Sequence, residues 1–235
     1  MENDMAELFQ TNSSDSDSEP EYKFIDVNGF HLRQMAKHHS LWGELVWITG
    51  RIVSKHILAK DNEFNLEGKT VVEFGSGVGL CAVSAAVSGA KNVVATDYNE
   101  RVILETLEYN TQNYPNVKVV GHTWGNDVTP VLDANNGEKF DVAILCDLVF
   151  NHAAHKPLLK SLQACLKPDG KALVAHCHHL PHLAQKDLKF FKKAEEKFGF
   201  KVEVIGVEKH PPMFPNDTGD IELRTHCNLK LMTFK

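Results

Sequence analysis

Residues 73–80 read Glu73-Phe74-Gly75-Ser76-Gly77-Val78-Gly79-Leu80, directly after the apolar run Val71–Phe74 and directly before the helical stretch Leu80–Ser88. A strand that runs into closely spaced glycines and then a helix brings backbone N–H groups to one point, where missing Cβ atoms allow close approach to a ligand. A P-loop would need a Lys-Ser/Thr pair after its last glycine, and none is present. A dinucleotide fingerprint G-x-G-x-x-G would need glycine at position 80, where Leu80 stands. The pattern that remains is E-x-G-x-G-x-G.

Short apolar runs recur on either side of this loop, at Val71–Phe74, Val93–Thr96, Val117–Val120, Val142–Leu145 and Ala172–Ala175. Helical stretches alternate with them at Leu80–Ser88, Glu100–Asn113, His152–Leu166 and His182–Phe198. Unbroken apolar strands alternating with helices predict a parallel sheet covered on both faces. Val202–Val207 and Cys227–Phe234 are joined by a Pro-rich loop with no room for a crossover helix, so they are expected to pair antiparallel. Upstream, Asn28-Gly29 between Tyr22–Val27 and Phe30–Met35 predicts a hairpin. Apolar residues from Leu41 to Leu58 follow a helical stripe. The expected fold is α/β: a doubly wound, mostly parallel, seven-stranded sheet with an antiparallel last strand, preceded by a hairpin and a helix over 21–62.

The chain has 235 residues, of which 43% are hydrophobic, which fits one domain and excludes collagen-like and fully disordered classes. No run of about 18 apolar residues is present to span a bilayer, and the N-terminus lacks the basic and apolar regions of a secretory signal. The five cysteines are spread without a CxxC pair, which favours free thiols in a reducing compartment, and a cytoplasmic location is expected. Residues 1–20 hold six acids and no Lys or Arg, accounting for the whole net charge of −6. That Ser-rich acidic stretch is expected to be a disordered tail, and 21–235 the folded domain. The balanced remainder offers no basic footprint for nucleic acid.

The loop resembles the S-adenosylmethionine loop of class I (Rossmann-like) methyltransferases. S-adenosylmethionine carries no phosphate, so the missing Lys is expected, and the N-terminus of the following helix suits its carboxylate. Glu73 would receive the ligand's ammonium or a backbone donor. Asp97, ending the second strand 22 residues after Gly75, has the spacing of a carboxylate that accepts ribose hydroxyls. Its neighbour Tyr98 joins this set. Trp124, at the end of the third strand, would stack on adenine or plug the sheet edge.

Further motifs narrow the resemblance. Leu41-Trp42-Gly43 resembles the Trp entry of seven-strand lysine methyltransferases, where the Trp lies over the cofactor. Cys146-Asp147-Leu148-Val149-Phe150 matches D-x-x-Y except that Phe150 replaces Tyr. Met213–Arg224 resembles P-M-F-x-x-D-x-G-D-x-E-x-R. Together with Trp124–Asp127 and Asp187–Phe191, these motifs resemble the fungal protein N-terminal and lysine methyltransferases acting on elongation factor 1-alpha, a group also labelled nicotinamide N-methyltransferase-like. The resemblance implies a cytoplasmic, monomeric enzyme with S-adenosyl-L-methionine as cofactor and a protein as partner, methylating an α-amine and a nearby lysine. It implies cofactor contacts at Trp42, Glu73, Gly75, Ser76, Gly77, Gly79, Asp97, Tyr98, Trp124 and Cys146, and substrate chemistry at Asp147, Phe150 and His179. Asp147 is expected to accept the amine's hydrogen bond, with Phe150 as an apolar wall.

His176, His178 and His179 alternate along a strand end and therefore cannot all converge on a metal, so no metal site is expected. Asp217, Asp220 and Glu222 either attract a Lys-bearing peptide or satisfy a turn. Two other functions stay open: a small-molecule amine N-methyltransferase, and a non-catalytic S-adenosylmethionine-binding module.

Overall fold

A computed structural model describes residues 20–36, 45–213 and 219–235. The expectations for the acidic tail, for Trp42 and for Asp217 lie outside those residues. Strands β1 (Tyr22–Val27) and β2 (Phe30–Met35) form the hairpin around Asn28-Gly29, both of which take positive φ as a tight primed turn requires. Helix α1 (Ile48–Ala59) begins later than the apolar stripe suggests, because Trp47 takes extended backbone angles as its N-cap and Leu45–Val46 are not helical.

The main sheet consists of β3 (Thr70–Phe74), β4 (Asn92–Asp97), β5 (Val117–Gly121), β6 (Phe140–Cys146), β7 (Leu166–His176), β8 (Phe200–Lys209) and β9 (His226–Phe234). Their spatial order is β5-β4-β3-β6-β7-β9-β8, and β9 runs antiparallel to both neighbours while the other pairs are parallel. Helices α2 (Leu80–Val87), α3 (Arg101–Thr111), α4 (Thr129–Asp133), α5 (His155–Cys165), α6 (Ala184–Lys197) and α7 (Ile221–Arg224) complete the fold. Of the two short helices, α4 and α7, the second lies in the segment expected to be a Pro-rich loop. α7 is capped by the Asp220 carboxylate, which accepts the Glu222 N–H at 2.9 Å, so this acid has a structural task.

The central strands are buried along nearly their whole length, which explains their continuous apolar character. One face carries a core of Phe74, Phe140, Leu158, Leu162 and Phe190 beneath α5 and α6. The other carries Ile57, Leu66, Cys81, Leu107 and Ile144 beneath α1, α2 and α3. No helix among the described residues is long and apolar enough to cross a membrane.

The hairpin is tied to the glycine loop. Val27 and Leu32 pack with Val78, Leu80 and Val83. The Asn110 amide donates to the carbonyls of Arg33 and Val78, each at 2.8 Å, and its oxygen accepts the Arg33 N–H at 2.8 Å. The strand order reverses between β3 and β6, and ligands of doubly wound sheets bind beyond the carboxyl ends at such a reversal. The glycine loop follows β3, and Asp147 follows β6.

Candidate active site

The glycine loop is shaped by its backbone. Gly75, Gly77 and Gly79 have φ of 65°, 52° and 84°. A Cβ on Gly75 would lie 2.6 Å from the end of the Leu148 side chain, so any other residue at position 75 is strained by its backbone conformation and must displace Leu148. The Ser76 N–H donates to the Thr96 carbonyl at 2.9 Å, and the Ser76 hydroxyl to the Glu73 carbonyl at 3.3 Å. The Asp97 carboxylate accepts the Gly77 N–H at 2.7 Å and the Tyr98 N–H at 2.7 Å. Asp97 thus braces the loop across the gap between β3 and β4, a role its spacing did not reveal.

Above the loop lies a cavity lined by Leu45, Val46, Trp47, Gly50, Glu73, Gly75–Val78, Leu80, Cys81 and Cys146. Five of the expected cofactor positions, Glu73, Gly75, Ser76, Gly77 and Cys146, therefore line one space. Gly79 stands behind it as the N-cap of α2. Tyr98 is half exposed, and Trp124 packs partly buried against the core beneath α5. Neither of these two lines the cavity.

Glu73 is the electrostatic feature of this space. It is buried, and its Oε2 has no hydrogen-bond partner among the described residues. Burial raises its carboxyl to about 8, against the opposing hydrogen bonds of Ser76, Cys81 and Ala82. A buried acceptor beside a glycine-walled cavity and a helix N-terminus fits S-adenosylmethionine, whose amino acid end carries an ammonium and a carboxylate. Gly75→Ala is expected to weaken cofactor binding about 5- to 150-fold, from roughly 1–3 kcal/mol of backbone strain, measurable by calorimetry. Unchanged affinity would remove the loop from the site.

Beyond Cys146 the chain turns sharply at Asp147, a non-glycine residue at φ 53°. Its carboxylate is 3% exposed and accepts three donors: the Thr49 hydroxyl at 3.0 Å, the Cys177 N–H at 3.2 Å and His179 Nε2 at 3.0 Å. Around this charge stand three rings. Trp47 meets His179 edge-on with centroids 5.0 Å apart, Phe150 meets His179 at 5.8 Å, and Trp47 and Phe150 are 5.9 Å apart. Trp47 is shared by this ring set and the cavity, so the two are contiguous. All three expected catalytic positions, Asp147, Phe150 and His179, come together here.

The alternation expected for the histidine run is present. His178 Nδ1 and His152 Nε2 both donate to the buried Asp187 carboxylate, at 2.7 and 2.6 Å, clamping the loops after β6 and β7 to α6. His179 turns instead toward Asp147, and the Cys177 thiol faces His210 Nε2 at 3.2 Å. His176 is fully buried, and burial lowers it to about 3, so it is neutral near pH 7. Among the described residues, no group of three or more His, Cys, Asp or Glu could hold a metal ion.

Trp47 and Thr49 escaped the sequence reading. The signal available for Trp47 was a second Trp in the same segment, Leu41–Trp47. Nothing in the spacing joins Thr49 to Asp147, which is 98 positions away.

A Rossmann-like sheet with this glycine loop and a ringed carboxylate at the strand-order reversal defines a class I methyltransferase. Residues 28–197 match the lysine methyltransferase family, and the chain belongs to it. It is 34% identical to the protein N-terminal and lysine N-methyltransferase EFM7 of Yarrowia lipolytica, over 92% of this chain and 85% of that protein. With efm7 of Schizosaccharomyces pombe the identity is 37%, over 83% of this chain and 79% of that one. Among solved structures, TYW2 of M. jannaschii in complex with AdoMet superposes with a TM-score of 0.58 at 17% identity, covering 93% of this chain and 89% of that chain. Trm5b from Pyrococcus abyssi gives a TM-score of 0.58 at 19% identity, covering 93% and 58%. At such identities these two structures speak for the fold alone.

Proposed function

We propose that this chain transfers methyl groups from S-adenosylmethionine to the N-terminal α-amine and a nearby lysine of elongation factor 1-alpha, in the cytoplasm. The observation that carries the amine chemistry is the ring set of Trp47, Phe150 and His179 around the buried Asp147 carboxylate, contiguous with the glycine-walled cavity. Aromatic faces and a carboxylate together favour an ammonium. The relatives' names support a protein substrate, and the resemblance carried by the Met213–Arg224 motif supports the choice of elongation factor 1-alpha.

S-adenosylmethionine supplies an activated methyl on sulfur, so the protein must position and deprotonate the acceptor. An α-amine, with a pKa of about 7.7–8.0, needs only about 1–1.4 kcal/mol to be neutral at pH 7, whereas neutralising a lysine there costs roughly 4–5 kcal/mol. Asp147 already accepts three donors, which shifts it from direct amine acceptor to the negative charge behind His179. His179, bonded to that charge and partly open to solvent, carries the proton away. Thr49 and the Cys177 N–H fix the carboxylate in place. Trp47→Ala is expected to raise KM for the amine and weaken the cofactor, each about tenfold, through loss of about 1–2 kcal/mol of ring contacts. Unchanged values for both would take Trp47 out of the site.

The small-molecule alternative separates cleanly. Methyl transfer to nicotinamide and to a free-amine peptide with an adjacent lysine is measured side by side. Transfer to the peptide alone is expected, and transfer to nicotinamide alone would replace this reading.

A further inference from the structure

Two thiols face each other in the wall of the cavity. Cys81, in the first turn of α2, and Cys146, the last residue of β6, both line it, and their sulfurs are 3.8 Å apart. The Cys81 thiol also points at the Gly50 carbonyl, 3.6 Å away on α1. The pair therefore sits where three elements meet at the glycine loop. Cys81 is buried and Cys146 half-buried, so Cys146 is the more open residue of the two. Cys165 lies in the core on the opposite face of the sheet, and Cys177 and Cys227 are buried in the same core as Cys81. None of the three lines this cavity.

We propose that Cys81 and Cys146 form a redox modification site that a hydroperoxide converts to a disulfide, closing the cofactor cavity. This rests on the cavity being the S-adenosylmethionine site. The Cys146 sulfur attacks one oxygen of hydrogen peroxide, the simplest such oxidant, the O–O bond breaks, and the thiol proton joins the departing hydroxide, so the products are a Cys146 sulfenic acid and water. The Cys81 sulfur then displaces the sulfenic oxygen, which leaves as a second water as the S–S bond forms. Two thiols are oxidised, one peroxide is reduced, and atoms balance.

The geometry sets the consequence. Disulfide formation draws the sulfurs from 3.8 Å to about 2.05 Å. That joins the start of α2 to the end of β6 through a bond in the cavity wall. A bound cofactor shields Cys146, so the reaction selects the empty enzyme. Cys81 is held above its ordinary range by its hydrogen bond with Cys146 and by burial. Cys146 is also raised: its bond with Cys81 works the other way, but burial and the nearby Glu73 and Asp147 outweigh it. Both thiols are therefore protonated near neutral pH, and modification is slow at low peroxide.

The test uses the full chain. Cofactor affinity of the reduced protein is measured first by calorimetry. The protein is then treated with hydrogen peroxide, with and without saturating S-adenosylhomocysteine, and mapped by non-reducing peptide mass spectrometry. A Cys81–Cys146 cross-link is expected in the free enzyme and suppressed about tenfold by the ligand, with affinity lowered at least about tenfold and restored by dithiothreitol. In Cys81→Ser, Cys146 is expected to stop at a sulfenic acid that dimedone traps. Reduced protein that binds cofactor but yields no such cross-link overturns the proposal. So does a cross-link that leaves affinity unchanged. Reduced protein that fails to bind cofactor at all overturns the cavity assignment and this inference with it.

Discussion

An Asp147→Asn variant is expected to bind cofactor as the parent does yet transfer methyl groups about 10²- to 10⁴-fold more slowly. Asparagine tolerates the positive φ at this position, so the sharp turn after β6 survives. It also keeps a side-chain oxygen for the Thr49 hydroxyl or the Cys177 N–H. What it removes is the negative charge that His179 contacts at 3.0 Å. The amine then loses its counter-charge and the imidazole loses the group that stabilises its protonated form. Steady-state kinetics with protein substrate, alongside calorimetry with cofactor, separates the two effects. Full activity in the variant would exclude Asp147 from the chemistry.

Glu73 should make both stability and cofactor binding depend on pH. In the folded chain burial raises its carboxyl to about 8, against 4.5 for the ordinary group. Between those two pH values the folded state holds a proton that the unfolded state has released, so stability falls as pH rises through the window and levels off above it. The bound on that loss is about 5 kcal/mol. Glu73→Gln is expected to flatten the fall in Tm between about pH 5 and 8. Cofactor binding has the opposite sign: an ammonium beside Glu73 favours the ionised carboxyl, so binding at pH 6.5 releases close to one proton. Calorimetry in buffers of different ionisation enthalpy counts it, and the Gln variant should release none. Zero proton release from the parent would place the ligand's ammonium elsewhere.

Local patterns in the chain carried most of the fold. Asn28-Gly29 marked the hairpin with its observed bounds, and the five apolar runs became β3 to β7 because strands buried on both faces show unbroken hydrophobicity. The antiparallel β9 followed from a connection too short for a crossover. The site was legible only where one segment carried it, as in the glycine loop. Contacts between distant segments were not: Thr49 with Asp147, Asp147 with His179 and His152 with Asp187 depend on which strand ends become neighbours. The spacing of Asp97 predicts a ligand carboxylate, whereas the loop contact that the structure gives it is the Gly77 N–H, because a short loop beside β4 needs an acceptor there. The start of α1 was misplaced because a helical stripe continues through Leu45, while Trp47 keeps extended backbone angles as the cap.

The most direct test is to incubate the purified chain with S-adenosylmethionine and unmethylated elongation factor 1-alpha, then map the product by intact-mass and peptide mass spectrometry. Methyl groups confined to the N-terminal peptide, on the α-amine and an adjacent lysine and lost with Asp147→Asn, are the predicted result. An unmodified N-terminal peptide, with cofactor binding shown in the same sample, would contradict it.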